Sequence, residues 1–257
     1  MANLNQTPLP QDAEISCGYY AYISALHKFG RNTDIDTTTL PEDLWYGGGV
    51  WVPPTQARIH AVASTSVNDT AAGTGARTVR VIGLPGWDEE EVSEIVEMNG
   101  TGSVNTVNSY VIIYRMQVVT AGTGGYNEGD ITATAATDGT VTAQITAGFG
   151  QTLMAVFGIP SSKRLILTQW HASIARQNNS TAADLSLLVN PAPDVNLGLF
   201  NIRQTFSTTA TGTSSAEHTF TPPIAIPGPA IILIQVEGVS SLNSDISGGF
   251  DGYVMDK

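Results

Sequence analysis

The sequence has one cysteine, Cys17, in 257 residues. A single cysteine cannot form a disulfide within the chain, so the fold must depend on packing rather than on covalent cross-links. Its position in the N-terminal segment favours burial or simple exposure over catalysis. Any enzymatic or metal-binding role would therefore have to come from other residue types.

Basic residues are also scarce. The chain has 11 Lys and Arg against 23 Asp and Glu, a net charge of −12, and residues 204–256 contain neither Lys nor Arg. Contacts with the nucleic acid backbone need clustered basic side chains. The composition excludes that class of partner, and it predicts an acidic surface suited to high local concentration or to a more basic protein neighbour.

Long apolar runs are absent. No run approaches the roughly 18 to 20 residues of a membrane-spanning helix. Residues 1–13 are polar, without a basic start and an apolar core, so they do not have the pattern of a signal peptide. We expect a chain that is made in a cytoplasm and does not bind a membrane.

The composition that remains is typical of β-structure. Charged residues make up only 13%, Gly is frequent with 26 residues, and the apolar runs are short, β-branched and broken by turn residues. We predict an all-β fold of two β-sandwich or jelly-roll-like modules with an extended N-terminal arm and an irregular strap. The predicted boundaries are 1–51 for the arm and strap, 52–148 for the first module and 149–257 for the second.

Residues 27–51 are interpreted as the strap. They carry several large aromatic side chains next to a triple glycine, and we find neither helical nor strand periodicity in them. Aromatics of this size are costly to expose, so the segment should be ordered by docking. Residues 1–26 begin as a polar tail and end in an apolar patch whose pattern fits a helix or a strand. We predict that residues 1–51 hold a contact with another subunit or protein, while packing on the chain's own domain stays an alternative for the arm.

Alternation of apolar and polar residues predicts the strands of the first module. In residues 76–84, Val79 and Val81 share one face and Thr78 and Arg80 the other. Residues 90–100 could form a helix, but their alternation and a following Asn-Gly turn favour a strand. The predicted segments are 57–65, 76–84, 90–100, 109–120 and a hairpin at 131–148 that turns at Asp138-Gly139.

The second module is predicted to begin after a glycine-rich junction at 148–150. About seven strands follow, including 152–160 and 164–176, enough for one sandwich or jelly roll. Prolines at 222–223 and 227–229 indicate an edge strand or sharp corners. One face of the strand 164–176 is predicted to contain Arg164, Ile166, Thr168, Trp170, Ala172 and Ile174.

Patterns of catalytic chemistry are weak throughout. The four histidines stand singly, the acidic runs lack a calcium-loop spacing, and the glycine-rich loops lack the Lys-Ser/Thr of a phosphate loop. No nucleophile-elbow motif occurs. We therefore predict no enzyme, cofactor or metal, and we disfavour a β-sandwich hydrolase. The histidines are His27, His60, His171 and His218.

Residues 27–256 resemble a family of virion structural proteins of tailed bacteriophages, many of them marine. The most specific stretch is HKFGRN…PEDLW…GGG, and GTGARTV, NSY and QTLMAVFGIP extend the resemblance. The family implies a component of the particle, on or near the capsid, and it offers no catalytic residues. The expected location is the virion, assembled in the host cytoplasm.

The leading hypothesis is a capsid decoration or cement protein that self-associates, with a trimer favoured. Its other expected partners are the major capsid protein or further virion proteins. The alternative is a head-fibre, tail-fibre or adaptor protein whose aromatics, Trp45, Tyr46, Trp51 and Trp87, bind a receptor or glycan. These aromatics could also simply fill the core. The candidate interaction residues are Tyr19, Tyr20, Phe29, Trp45, Tyr46, Trp51 and Trp87.

Overall fold

The computed structural model describes residues 9–175, 182–209 and 213–257, and within these ranges nearly all regular structure is β-strand. The prediction of an all-β fold is confirmed. Residues 1–8 of the predicted arm and Arg176 at the end of a predicted strand lie outside the described residues. The elements are α1 (Gln11–Ser16), β1 (Ile23–Ile35), β2 (Glu42–Asp43), β3 (His60–Ser64), β4 (Ala76–Leu84), β5 (Val92–Glu97), β6 (Val104–Asn105), β7 (Ile112–Ala121), β8 (Ile131–Ala135), β9 (Val141–Ile145), β10 (Val156–Ile159), β11 (Lys163–Ala175), β12 (Ala182–Asn190), β13 (Asn201–Thr209), β14 (Thr213–Pro227), β15 (Ala230–Val239) and β16 (Ser244–Asp256).

Two antiparallel sheets from both ends of the chain form a unit that we call the sandwich. One sheet has the order β1-β16-β11-β14. The other has the order β10-β15-β12-β13, and β2 pairs with β15 on the same side as β10. In the core between them, Trp170 of β11 stacks on Phe206 of β13 with ring centroids 4.0 Å apart.

Strands β3 to β9 form two further sheets, which we call the middle strands. Their orders are β6-β3-β8-β9 and β5-β4-β7. The last middle strand and the next sandwich strand, β9 and β10, lie in different sheets, and residues 146–155 join them. Buried side chains of both units nevertheless belong to one hydrophobic cluster. A division into two modules at residues 148–150 therefore stays a prediction.

The alternation found in the first module matches the structure closely. Val79 and Val81 of β4 are fully buried, whereas Arg80 between them is exposed. Residues 92–97 form strand β5, as predicted. The predicted hairpin is β8–β9, and Gly139 in its turn has a φ of 69°, a value that glycine adopts without steric cost.

The strap interpretation is wrong for residues 27–35, which continue a regular strand. β1 pairs with β16 from Ile23 opposite Met255 to Asn32 opposite Ile246. Farther along the strap, β2 pairs with β15, so this segment supplies strands to the sandwich rather than crossing it as irregular backbone. The strand was missed because its inward positions hold Lys28, Gly30 and Asn32 instead of apolar side chains.

The predicted face of β11 is wrong in its first half. The pairing with β16 shifts register between Leu167 and Gln169, so Thr168 is an extra residue in the strand. A bulge of this kind reverses the faces on its two sides. The buried face of β11 contains Leu165, Leu167, Trp170, Ala172 and Ile174.

Pro222 and Pro223 lie in β14, which ends its sheet, so the predicted edge position is confirmed.

Candidate functional site

The three tryptophans among the candidate residues are buried within the chain. The indole Nε1 of Trp51 donates a hydrogen bond to the carbonyl oxygen of Thr142 at 2.8 Å, which joins the segment after β2 to the middle strands. The indole of Trp45 donates to the carbonyl oxygen of Gly49 at 3.1 Å. Trp87 is also enclosed, with 8% of its surface exposed. In this arrangement none of the three can stack on a sugar.

The other four candidate aromatics do not come together. Tyr19, after α1, is 68% exposed, and Phe29 on the outward face of β1 is 39% exposed. Tyr20 is half-buried. Tyr46 is also half-buried, and its ring lies 5.2 Å from that of Phe149, centroid to centroid. The seven residues therefore do not form one binding surface, and Tyr19 and Phe29 are the most accessible of them.

A groove lies where the first half of β1 meets the middle strands. Two adjoining cavities of about 290 and about 360 Å³ share the side chains of Leu26, Glu91, Tyr114 and Phe157 in their walls. The rings of Tyr114 and Phe157 pack 4.8 Å apart, so an aromatic pair forms part of the groove where the two units meet. Ionisable side chains also line this groove.

Lys28 is a buried and strongly perturbed member of these groups. It is 3% exposed, and its ammonium group donates a hydrogen bond to the carbonyl oxygen of Tyr114. Burial holds the pKa of Lys28 well below its usual value, the nearby Arg115 lowers it further, and Glu91 opposes the shift. A lysine with a lowered pKa can serve as a nucleophile. This one is enclosed and already engaged, so the geometry favours a structural role.

The remaining charges of the groove are also paired. The Tyr114 hydroxyl donates to Glu91, and burial together with that carboxylate raises the pKa of Tyr114. Arg115 donates to the carbonyl oxygen of His27 at 3.2 Å. Nδ1 of His27 lies 2.8 Å from a carboxylate oxygen of Asp251. Of these contacts, the hydrogen bond from Arg115 to His27 joins the middle strands to the sandwich, and the other two each lie within one unit.

Two buried carboxylates of β2 organise the turn that follows. Asp43 accepts hydrogen bonds from the main-chain N–H of Trp51 at 2.7 Å and from the Gln235 side chain at 2.8 Å. Burial nevertheless raises the pKa of Asp43 to about 7. Glu42 accepts from the main-chain N–H of Gly49 at 3.0 Å. Both acids hold backbone in place and are enclosed, as a general acid or base in contact with substrate would not be.

Other titratable groups do not assemble into a metal or membrane site. Across residues 9–175, 182–209 and 213–257, no three His, Cys, Asp or Glu side chains are placed to hold a metal ion. His60 is fully buried, its Nδ1 lies 2.9 Å from the carbonyl oxygen of Arg58, and burial lowers its pKa to about 4. No helix in the described ranges is long and apolar enough to cross a membrane.

The two sides of the sandwich differ in what covers them. On one side, β1 and β10 lie against the middle strands through the Lys28, Tyr114 and Phe157 contacts. On the other side the sheets end at β13 and β14, and in the described part of the chain no strand pairs with their outer edges. We call these two outer edges the edge surface.

Side chains of the edge surface are mostly polar, with one charged residue on each strand. Along β13, Ile202 is 62% exposed, and Arg203 and Thr205 are exposed beside it. Along β14, Glu217 and Thr219 are exposed. Sequence reasoning indicated the edge position of β14 through its prolines, but it did not indicate that of β13 and it missed the Lys28 groove. Both of these depend on which strands are neighbours.

Comparisons of the chain with family models, with curated proteins and with solved structures find no match. The geometry of the chain and the resemblance in its sequence are therefore the basis for a functional proposal. The groove is internally paired, whereas at the edge surface the main-chain groups of two strands have no strand partner among the residues that the structure describes.

Proposed function

We propose that the chain is a structural component of a tailed-phage virion, a capsid decoration or cement protein that self-associates on the particle. The edge surface carries this proposal. An unpaired sheet edge is either guarded by lysine, proline or a bulge, or paired with a neighbour. Here two such edges lie side by side, and between residues 204 and 256 the chain has neither Lys nor Arg to guard them. Prolines in β14 and a register shift in β13 guard part of each edge, and pairing with a neighbouring subunit is the way to satisfy the rest.

The sequence resemblance and the charge support the same role. The chain's surface is acidic, with a formal net charge of −12, and this suits contact with a more basic virion protein such as the major capsid protein. The proposal assigns no catalysis, cofactor, nucleic acid or membrane to the chain. It places the protein in the virion after assembly in the host cytoplasm.

The N-terminal segment offers a second contact. Tyr19 and Tyr22 expose 68% and 55% of their surfaces, and Leu9 exposes 46%. Exposed tyrosines close together are frequent in protein interfaces because they combine apolar area with a polar end. We assign this segment to a contact with a different virion protein.

The fibre or adaptor alternative has less support. It requires accessible aromatic side chains for a receptor or glycan, yet Trp45, Trp51 and Trp87 are buried. Of the residues named for it, Tyr46 is half-buried and packs on Phe149. Copy number separates the two roles, because a decoration protein covers the capsid and a fibre or adaptor occupies a few positions.

The test is to purify particles of the phage that encodes the chain and to quantify the protein by mass spectrometry. We expect a molar ratio to the major capsid protein of the same order as one, and density for the protein over the whole capsid in particle images. A ratio far below one, with density confined to the tail or a single vertex, would establish the alternative. Absence of the protein from particles would refute both.

A further inference from the structure

The edge strands form a side of the sandwich with a definite polarity. Only residues 210–212 separate β13 from β14, which lie in facing sheets and contact each other. Consecutive strands joined over so short a distance run in opposite directions. One side of the sandwich therefore presents two edges of opposite direction that pair with no other described strand.

A rotation about an axis parallel to the strands preserves the direction of every strand. If two copies are related by such a rotation, β14 of one and β13 of the next meet in antiparallel orientation. Every strand pair of the two sandwich sheets has this orientation. Contacts of this head-to-tail kind close into a ring when the rotation allows it, and three copies are enough.

The features that prevent edge-to-edge pairing occupy only part of each of these two strands. β13 shifts register at Arg203, and β14 has its prolines at 222, 223 and 227. Residues 204–209 and 213–219 have neither proline nor lysine, and they flank the same connection. The unguarded parts of both edges therefore lie at the same end of the sandwich, where they can pair together.

Charge indicates what pairs there. A chain with a net charge of −12 repels its own copies over most of its surface, so self-association needs a surface with few charges. Arg203 on β13 and Glu217 on β14 are the charged residues of the two edge strands, and both are exposed. Neither forms an ion pair with any described residue.

The stacking of Phe206 on Trp170, which is paired with His218, relates the heights of the two edge strands. Arg203 is three residues from Phe206, and Glu217 is one residue from His218 in the other direction. The offset of four residues is roughly 13 Å along a strand, less the shortening at the bulge, and the extended side chains of an arginine and a glutamate can span it. The exposed Ile202 beside Arg203 would lose contact with water at the same boundary.

We propose that a second copy of this chain occupies the edge surface, with β14 of each copy paired to β13 of the next and Arg203 facing Glu217 across the boundary. This inference deepens the proposed self-association and depends on it. It names the surface, the strand order and the ion pair of a closed trimer.

The test is a charge exchange at the two edge positions. Arg203→Glu and Glu217→Arg each place like charges together at every boundary, so we expect each to raise the dissociation constant of the trimer roughly 10- to 100-fold. The double variant restores opposite charges and should recover most of that loss. The matched control is Arg80→Glu, which makes the same charge change at an exposed position of β4 and should have no effect.

Sedimentation equilibrium separates the outcomes. A wild-type protein that stays monomeric refutes self-association and with it the pairing. An oligomeric wild type whose Arg203→Glu and Glu217→Arg variants behave like the Arg80→Glu control refutes the edge surface alone. A double variant that associates no more tightly than the single variants refutes the pairing of β14 with β13. If a variant does not fold by circular dichroism, Thr205→Lys takes its place, because a lysine on β13 should also block pairing.

Discussion

Lys28, on β1 of the sandwich, donates a hydrogen bond from its ammonium group to the main-chain carbonyl oxygen of Tyr114, on β7 of the middle strands. The contact joins residues that are 86 positions apart in the sequence. It lies in the groove that sequence reasoning missed, and it makes the stability of the fold sensitive to pH.

The first prediction concerns Lys28→Met. Because burial lowers the pKa of Lys28, the unfolded chain binds more protons than the folded chain between the lowered value and the ordinary one near 10.5. The free energy of unfolding of the wild type should therefore rise with pH in that window. Lys28→Met should lose this rise, measured by urea unfolding from about pH 7 to pH 10. Lys257→Met, at an exposed position, is the control, and an equal loss of slope in both variants would contradict the account.

The second prediction concerns Asp43→Asn. Burial raises the pKa of Asp43 to about 7, so the folded chain binds more protons than the unfolded chain between about 4 and 7. Its contribution to stability is complete below that window and is lost as pH rises through it. Asp43→Asn should remove this loss and be more stable relative to wild type at pH 8 than at pH 4. Glu97→Gln, at an exposed position of β5, should show no such trend in thermal melts.

The third prediction tests how closely β1 lies on the segment around β2. A Cβ atom at Gly30 would lie 2.0 Å from the carbonyl oxygen of Leu44 and 2.3 Å from the main-chain nitrogen of Ala155. Both are backbone atoms and cannot move aside, so Gly30→Ala should cost more than about 3 kcal/mol or prevent folding. A Cβ at Gly198 would meet its nearest neighbour at 3.7 Å, so Gly198→Ala should be tolerated. Similar urea midpoints for the two variants would contradict the packing described.

The fourth prediction concerns the N-terminal segment. Deleting residues 1–26 would remove the first residues of β1, which pair with β16 from Ile23 onward. Deleting residues 1–21 leaves β1 complete and removes α1 and Tyr19. The variant that lacks residues 1–21 should stay folded and oligomeric but fail to bind particles that lack the protein. Full binding by this form in a co-sedimentation assay would contradict a role for the segment in a virion contact.

Local alternation predicted most strands because one face of the strand is buried and the other faces water. In β4, Val79 and Val81 face the core while Arg80 faces water, and this difference is visible in the sequence itself. The pattern fails in β1, where Lys28 and Gly30 face inward. Lys28 is satisfied by a carbonyl oxygen from a distant strand, and Gly30 is required by a close backbone contact. Neither partner can be inferred from neighbouring residues.

The candidate site was harder to predict for the same reason. Trp45 and Trp51 resemble binding residues in sequence because they stand in an irregular segment, and only the tertiary structure shows that their indoles donate to carbonyl oxygens inside the chain. An open sheet edge is likewise a property of strand order. The prolines at 222 and 223 indicated the edge position of β14, but nothing in the sequence shows that β13 also lies at an edge of the described sheets.

Self-association is the central claim, and the mass of the purified protein in solution tests it most directly. Light scattering at micromolar concentration should give three times the chain mass of 27.0 kDa, unchanged on moderate dilution. A dimer or pentamer would correct only the number of copies. A stable monomer of 27.0 kDa, with no oligomer in the particle either, would contradict the account.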